Sequence, residues 1–443
     1  MIFGIDLGTT NSLIGVGDEL LTGLVSSNVD VSAKKQVPRD VVSEDIVSSY
    51  KTNMSVGETG KLSVQCSAII LKELARLGSE NSGQKVEDVV ISVPAYFTTS
   101  QREAVYKAAE IAGLNLKQLI NEPTAAAIYT CRDTMDLIIV YDLGGGTFDV
   151  SIVDSRAGTY TVIATDGVVL GGDDLDIALM EEVIKETKIP LRFRDKLSKK
   201  KLKSKMRLAK EEIQRVRGTV YVDLKEFGVS KPYALTEETY VSIVQQVFGK
   251  TIEMTETIIS KYIPSYESAK MVLVGGSAAC PYLKQMLVKE LWAEGIELEI
   301  IPCVIDPDLI VAKGVALYAE MMNEGKAQEL VEDVTKRLCL ELVNGGTQTI
   351  IEENTIVPCK NRVTVSNSSE CDYLELRLYQ GDSLIAKNNA YIGTLRFEYG
   401  RVVAEDEGLV DVSVEVTGDG VVVLSASEVL FGDVEQVIKL TAR

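Results

Sequence analysis

The chain has 443 residues, 46% of them hydrophobic and 25% charged, which is enough to fill more than one core and too apolar for disorder. Asp and Glu (65) outnumber Lys and Arg (46), a formal charge of −19 that repels a phosphate polymer or an anionic membrane, so no nucleic-acid or membrane partner is expected. There is no histidine, which excludes a Ser-His-Asp triad, a Cys-His pair and imidazole metal sites; carboxylates, lysines, hydroxyls and backbone amides remain for any chemistry.

The N-terminus, MIFGIDLGTTNS, places an aspartate too early for the apolar stretch of a secretory signal. No run of about 18 apolar residues follows, so no membrane span is expected. Cysteines 66, 131, 280, 303, 339, 359 and 371 lack CxxC spacing and read as buried thiols of a reducing compartment, with the cytoplasm as the expected location.

In chain order, residues 2–16 (IFGIDLGTTNSLIGV) read as a strand, a tight turn and a second strand. Ile70, Leu74 and Leu77 set a helical period over 67–77, with Gly78 as the expected stop. VEDVVISV is strand-like. In TTSQREAVYKAAEIAGLN, Ser100 with Glu103 predicts a capping box and Gly113 the helix end. Residues 137–153 (LIIVYDLGGGTFDVSIV) repeat the strand, turn, strand pattern. The basic island at 196–215 (KLSKKKLKSKMRLAKEEIQR) reads first as a solvated helix face and second as a phosphate or partner contact. MVLVGGSAACPYLKQML (271–287) is a strand, a Gly-Gly-Ser turn and a helix start. Such a mixture predicts an α/β domain of two lobes over residues 1–325.

Past residue 335 the texture changes to short alternating segments such as YLELRLYQG, LVDVSVEV and VVVLSASE, joined by turn formers including TGDG at 417–420. An all-β sandwich over 335–443 is expected, with a polar linker at 326–334.

The internal duplication carries the chemistry. Each copy is an apolar strand, then Asp-Leu-Gly, then small hydroxyl or glycine residues, then a second strand. Gly8 and Gly144, Gly145 and Gly146 let backbone N–H groups approach a phosphate, and Thr9, Thr10 and Thr147 add hydroxyl donors. Asp6 and Asp142 would face each other across a two-lobed clamp and repel unless a cation sat between them; magnesium suits two carboxylates plus substrate phosphates. Gly275, Gly276 and Ser277, at a helix start, are the expected third wall for ribose and phosphates.

DLGTTNS, VPAYF (93–97), NEPTAAA (121–127), DLGGGTFDVS (142–151), LGGDDLD (170–176), VGGS (274–277) and DPDLIVAKGVA (306–316) occur in one order over residues 1–320. Together they resemble the seventy-kilodalton heat-shock chaperone family, DnaK-like. The downstream module resembles that family's peptide-binding sandwich through DVT (333–335), NGG (344–346) and YQG (379–381). The resemblance implies an actin-like (ribonuclease H-like, duplicated) ATPase domain followed by an all-β sandwich, with ATP, ADP and magnesium as ligands. It implies that Asp6 and Asp142 orient water on magnesium, that Thr9, Thr10 and Thr147 contact phosphates, and that Lys51 approaches the γ-phosphate. Glu122 and Asp149 place the attacking water. Asn11, Gly172, Lys210 and Asp308 join the nucleotide set, and Pro94 relays nucleotide state to the neighbouring domain. Extended peptides, a J-domain co-chaperone and a nucleotide exchange factor are the implied partners.

Departures from the family pattern set further expectations. On the adenosine helix Lys210 is kept, but Arg207, Glu211 and Gln214 replace a glutamate, the adenine-stacking arginine and a serine, and Ala279 replaces a second arginine, so ATP is expected to bind weakly. The stretch from Ser12 to Lys51 is short and polar where a small subdomain has strands. ELVE (329–332) replaces the apolar linker tetrad, which weakens interdomain coupling. Glu341 and Asn344, opposite Val365 and Leu374, make the peptide cleft more polar, and the sequence stops at Arg443 with no helical lid, so peptides are expected to be weakly held. The alternative is a non-catalytic relative that binds nucleotide poorly and acts as an interaction or regulatory protein. A sugar or acetate kinase on the same fold explains neither NEPTAAA nor the β-module.

Overall fold

The computed structural model describes residues 1–54, 60–131, 137–155, 160–193, 195–263, 269–293, 295–302, 305–326, 332–334, 337–353, 355–417, 421–429 and 436–440. Two sheets repeat one strand order. In the first, Glu19–Leu20, Asn11–Val16, Ile2–Leu7, Asp88–Val93 and Asn115–Asn121 are successive neighbours; in the second, Thr161–Val168, Phe148–Asp154, Leu137–Leu143, Ala269–Val274 and Leu298–Ile300 are. Each sheet begins with an antiparallel hairpin and continues in parallel pairings. The central strands are apolar on both faces because helices cover both. This is the duplicated actin-like arrangement, and it brings the two Asp-Leu-Gly turns to matching ends of the two sheets.

Helices α1 (Lys61–Ser82), α2 (Thr99–Ala112) and α3 (Glu122–Thr130) belong to the first lobe, and α4 (Gly172–Thr187), α5 (Lys196–Val216), α6 (Glu237–Tyr262) and α7 (Pro281–Ala293) to the second. Helix α8 (Ile310–Asn323) returns to pack on α3 and on the strand Ile2–Leu7. A shared core of Val90, Ile120, Ala125, Val140, Val272 and Val315 joins α3 and α8 to strands of both sheets. NEPTAAA and KGVA are therefore small-residue packing faces as well as motif strings.

Several local expectations need correction. Helix α1 does not stop at Gly78, which lies inside it against Ile14 and Val86; the stop is Gly83, at φ +68°. The cap of α2 is Thr98, not Ser100, and its capping-box partner is Gln101 rather than Glu103. Gly113 ends that helix as expected. The polar stretch before Lys51 does carry strands: Asn28–Asp30, Lys35–Val37 and Ile46–Val47 form a small sheet. The basic island is only partly a solvated face. Leu202, Met206 and Ile213 of α5 are buried, and Lys200 Nζ donates to the carbonyls of Ser43 (3.1 Å) and Ile46 (2.9 Å) across the lobes.

The C-terminal module is a sandwich of two four-stranded antiparallel sheets. Thr347–Ile351, Leu338–Glu341, Cys371–Gln380 and Ala390–Val403 form one; Cys359–Val365, Val410–Val416, Val422–Glu428 and Gln436–Leu440 form the other. Their inward positions, among them Leu338, Leu378, Val412 and Leu424, make one core. Glu332–Val334, the end of the expected linker, is a strand paired with Thr355–Val357. Residues 329–331 of the ELVE tetrad, Thr335 of DVT, 418–420 of the TGDG turn and Cys303 lie outside the described residues. Among the described residues Cys66, Cys131, Cys280 and Cys339 are buried free thiols, whereas Cys359 and Cys371 are half-buried. No helix of the described residues is long and apolar enough to cross a membrane.

Candidate functional site

The two hairpin turns meet across a cleft lined by Asp6, Gly8, Thr9, Thr10, Asn11, Lys51, Glu122, Asp142, Gly144, Gly145, Thr147, Gly275 and Asp308, with Val274, Pro307 and Val311 as apolar walls. The approach is close. A Cβ on Gly145 would lie 1.8 Å from Thr10 Oγ1, so any larger residue in the turn of the second lobe would push Thr10 aside. Each turn is braced from outside the cleft. Ser27 Oγ donates to Gly8 O (2.8 Å), and the first amides of α4 donate from Gly172 to Gly144 O (3.0 Å) and from Asp173 to Gly145 O (2.6 Å). Thr10 Oγ1 is buried with no hydrogen-bond partner in the protein, a donor held ready for a ligand oxygen.

Lys51, in a 3-10 turn at Tyr50–Asn53, and Glu122, the first residue of α3, are both buried and form an ion pair with Nζ to Oε1 at 2.6 Å. The ring of Phe97 lies 5.7 Å from the ammonium. Asp142 and Asp149 are register partners on adjacent strands, which sets Asp149 directly behind the cleft, with Oδ1 buried and unpaired. Asp6 accepts from Ser92 Oγ at 2.7 Å.

Among the described residues lining the cleft, Lys51 is the only cation against Asp6, Glu122, Asp142 and Asp308. Burial, then the Glu122 charge, pushes the Asp6 carboxyl up to about 7, against the opposing pull of Lys51. Burial, then Glu122, raises Asp142 and Asp149 as well. Asp308 is raised by burial and Asp306, with Arg39 and the Gly276 N–H opposing. A second positive charge would relieve all of these carboxylates. No group of three acidic or thiol side chains among the described residues converges closely enough to hold an ion directly.

A raised folded-state pKa makes its contribution to stability complete below about pH 4 and lost as pH rises through about 7. Asp6→Asn mimics the protonated carboxyl. Its thermal midpoint is therefore expected to match that of the unaltered protein only below about pH 4 and to exceed it by a margin that grows up to about pH 7 and is full at pH 8; equal midpoints at pH 8 would show that Asp6 ionises without cost.

The remaining predicted residues form a second cluster beside the cleft. Lys210 Nζ donates to Gly172 O (3.0 Å) and pairs with Asp176 (2.7 Å), and Ser277 packs against Gly172. Gly275 has φ +81°, a turn that sets its Cα against the Leu143 carbonyl and Asp142 Oδ1, and Gly276 abuts the Asp308 carboxylate. Gly146 lies against Thr9 and Thr52. Glu211 is paired with Arg207 at 3.1 Å, and Gln214 donates to Tyr240 Oη at 2.5 Å.

Sequence reasoning missed Ser92, Tyr96 and Phe97. Burial, then the Asp149 charge, raises the pKa of the Tyr96 hydroxyl, with Thr147 of the second turn opposing, which places Tyr96 of the first lobe beside that turn. A serine inside the apolar run VVISV was the readable signal for Ser92. Pro94 is buried in the turn that leads from Ser92 to Phe97, so it sits beside the cleft wall.

A sequence model of the Hsp70 protein family matches residues 20–443 of this chain. Over 469 aligned residues the chain is 30% identical to the chaperone protein DnaK of Mycoplasma mobile, an alignment that covers 96% of this chain and 76% of that relative.

Proposed function

The chain belongs to the Hsp70 family, whose general activity is ATP-dependent chaperoning, and on that premise we propose that it binds ATP with magnesium in the interlobe cleft, hydrolyses it slowly, and couples nucleotide state to its β-sandwich. The observation that carries the reading is the pair of facing Asp-Leu-Gly turns with the Lys51–Glu122 ion pair between them. Residues 1–325 are read as the nucleotide-binding domain, 326–334 as linker and 335–443 as the substrate-binding module, in a cytoplasmic protein.

In this reading Asp6 and Asp142 would hold magnesium, which when bound would supply positive charge against that of the phosphates. The amides of the two turns and the hydroxyls of Thr9, Thr10 and Thr147 orient the phosphate chain. Lys51 meets the transferred phosphoryl group, and Glu122 with Asp149 orients the attacking water. Calorimetric titration with ATP plus magnesium, run beside a phosphate-release assay, tests this: binding with slow release supports it, and no binding near millimolar ATP overturns it. The non-catalytic alternative is favoured by one observation, the internal engagement of Lys210 and Gln214 described above.

The β-module supports a peptide partner better than its sequence suggested. Glu341 Oε2 accepts from Tyr379 Oη (3.4 Å) and Arg377 (3.4 Å), and Asn344 Oδ1 accepts from the Gly346 amide (2.9 Å), so both polar replacements are engaged locally. On the same loop and its hydrogen-bonded neighbour, Val343, Leu384 and Ile385 are exposed apolar side chains, Val343 by 86% and Leu384 by 73%. Burial of a Val or Leu contributes about 1.5–3 kcal/mol. Val343→Ser with Leu384→Ser is expected to weaken an apolar extended peptide by at least about tenfold in fluorescence anisotropy. Unchanged affinity would move the peptide site elsewhere on the sandwich. J-domain and exchange-factor partners, and weak peptide retention, belong to the same reading.

A further inference from the structure

The exposed apolar side chains of the sandwich sit on backbone that packing does not hold. Val343 is in the turn at 342–346, and Leu384 and Ile385 are in the segment 381–389, whose regular structure is one 3-10 turn, Ala386–Asn388, and a single bridge from Ile385 to Gly346. Ala386 is the only buried side chain of that segment, and a methyl group is a small anchor for a loop. Apolar groups on a loosely held loop fold back against the sheet to escape water. Leu384 stays exposed, so the backbone beneath it is fixed by other means.

Arg337, the residue before the strand Leu338–Glu341, supplies them. Its guanidinium makes four bonds to neutral oxygens: Nε donates to Gly381 O (3.2 Å), Nη2 to Ser383 O (2.8 Å) and Thr347 Oγ1 (3.4 Å), and Nη1 to Thr349 Oγ1 (3.3 Å). Its own carbonyl accepts from the Gly381 amide at 2.9 Å. Thr347 and Thr349 lie on the strand that leaves the Val343 turn, whereas Gly381 and Ser383 begin the Leu384 loop. One planar fork therefore spans both. The Ser383 carbonyl, directly before Leu384, also accepts from Asn389 Nδ2 at 2.8 Å, and the Ala386 amide donates to Gly345 O at 3.0 Å.

We propose that Arg337 is a positioning residue for the peptide site: it staples the loop 381–389 to the strand behind the 342–346 turn and so presents Val343, Leu384 and Ile385 as one preformed apolar surface. The inference rests on the peptide reading above and adds to it a residue that acts through the loop rather than by contact with peptide. Arginine suits this task because its donors are fixed in a plane, stay charged and reach several acceptors at once; lysine offers one point charge. A surface ordered before binding saves the cost of ordering the loop during binding, which matters most where few apolar contacts carry the affinity.

The test is fluorescence anisotropy of the full chain with a labelled apolar extended peptide, arranged as a double-mutant cycle. Arg337→Met is expected to weaken peptide by about tenfold in the unaltered background, and by less than about twofold where Val343→Ser and Leu384→Ser have already removed the surface to be positioned. Arg337→Lys is expected to fall between, and Arg362→Met, an exposed arginine of the other sheet, to change nothing. Hydrogen exchange should quicken in the 381–389 amides of Arg337→Met and stay slow in the strands of both sheets. Thr347→Val with Thr349→Val, which removes two acceptors at nearly constant shape, is expected to repeat the loss in milder form. Unchanged affinity in Arg337→Met beside a loss in Val343→Ser with Leu384→Ser overturns this inference alone. Equal tenfold losses in both backgrounds overturn it too, as does exchange that quickens throughout the sandwich, because Arg337 would then serve the fold at large. Unchanged affinity in Val343→Ser with Leu384→Ser overturns the peptide reading and this inference with it.

Discussion

Lys51→Met is expected to lower ATP turnover about 100- to 1,000-fold, the range found when one preorganised charge aimed at a reacting group is removed. The same change strips the partner from the Glu122 carboxylate, which is buried and bonded to Lys51 at 2.6 Å. Breaking a buried pair from one side costs about 3–5 kcal/mol, so the single variant should also melt earlier. These two effects separate in the double variant Lys51→Met/Glu122→Gln, in which neither partner of the pair is left charged. Its thermal midpoint should return toward that of the unaltered protein while phosphate release stays lost. Recovery of turnover along with stability would mean that the pair only holds the cleft together.

Lys51 also lowers the pKa of Asp6, Asp142 and Asp149, so its removal leaves these carboxyls more protonated at neutral pH. The variant is therefore expected to need more magnesium for any nucleotide binding that remains, and this requirement should ease as pH rises. Such a coupling distinguishes loss of a phosphate contact from loss of the whole electrostatic setting of the cleft.

How much of this was legible in the sequence depended on whether a residue's role is local. The duplicated hairpins were readable because a strand, a tight glycine turn and a return strand are encoded within about fifteen residues, and their facing arrangement in the structure follows from equal strand order in the two sheets. Asp6, Thr9, Thr10, Lys51, Glu122, Asp142 and Thr147 all reach one cleft. Residues whose role depends on distant partners were not readable. Gly78 looks like a helix stop, yet contact with Ile14 and Val86 requires a small residue inside α1. Thr98 outcompeted Ser100 as cap because its side chain and that of Gln101 exchange bonds with each other's amides. The strands before Lys51 were hidden because they are only two or three residues long, too short for an alternation to register. Lys200 reads as one more solvated lysine until the fold brings the carbonyls of residues 43 and 46 to it.

Gly314 in α8 shows the same dependence with the largest expected effect on folding. Helix propensity alone says that Gly→Ala in a helix interior stabilises by about 1 kcal/mol. At Gly314 a Cβ would lie 1.8 Å from the Ala125 carbonyl oxygen of α3, a backbone atom that cannot swing aside. Overpacking of this kind costs about 1–3 kcal/mol, and more where backbone meets backbone, so steric strain outweighs propensity. Gly249→Ala in α6 is the matching control, since nothing lies within 4 Å of its Cβ position. In urea unfolding Gly249→Ala should be neutral or more stable and Gly314→Ala less stable by at least about 3 kcal/mol. Because α3 carries Glu122 at its first turn, any separation of α3 from α8 also moves that carboxylate relative to Lys51. Gly314→Ala protein that does fold should therefore show lower turnover than its folded fraction accounts for. Turnover in strict proportion to folded protein would place the strain entirely in the helix crossing and leave the cleft untouched.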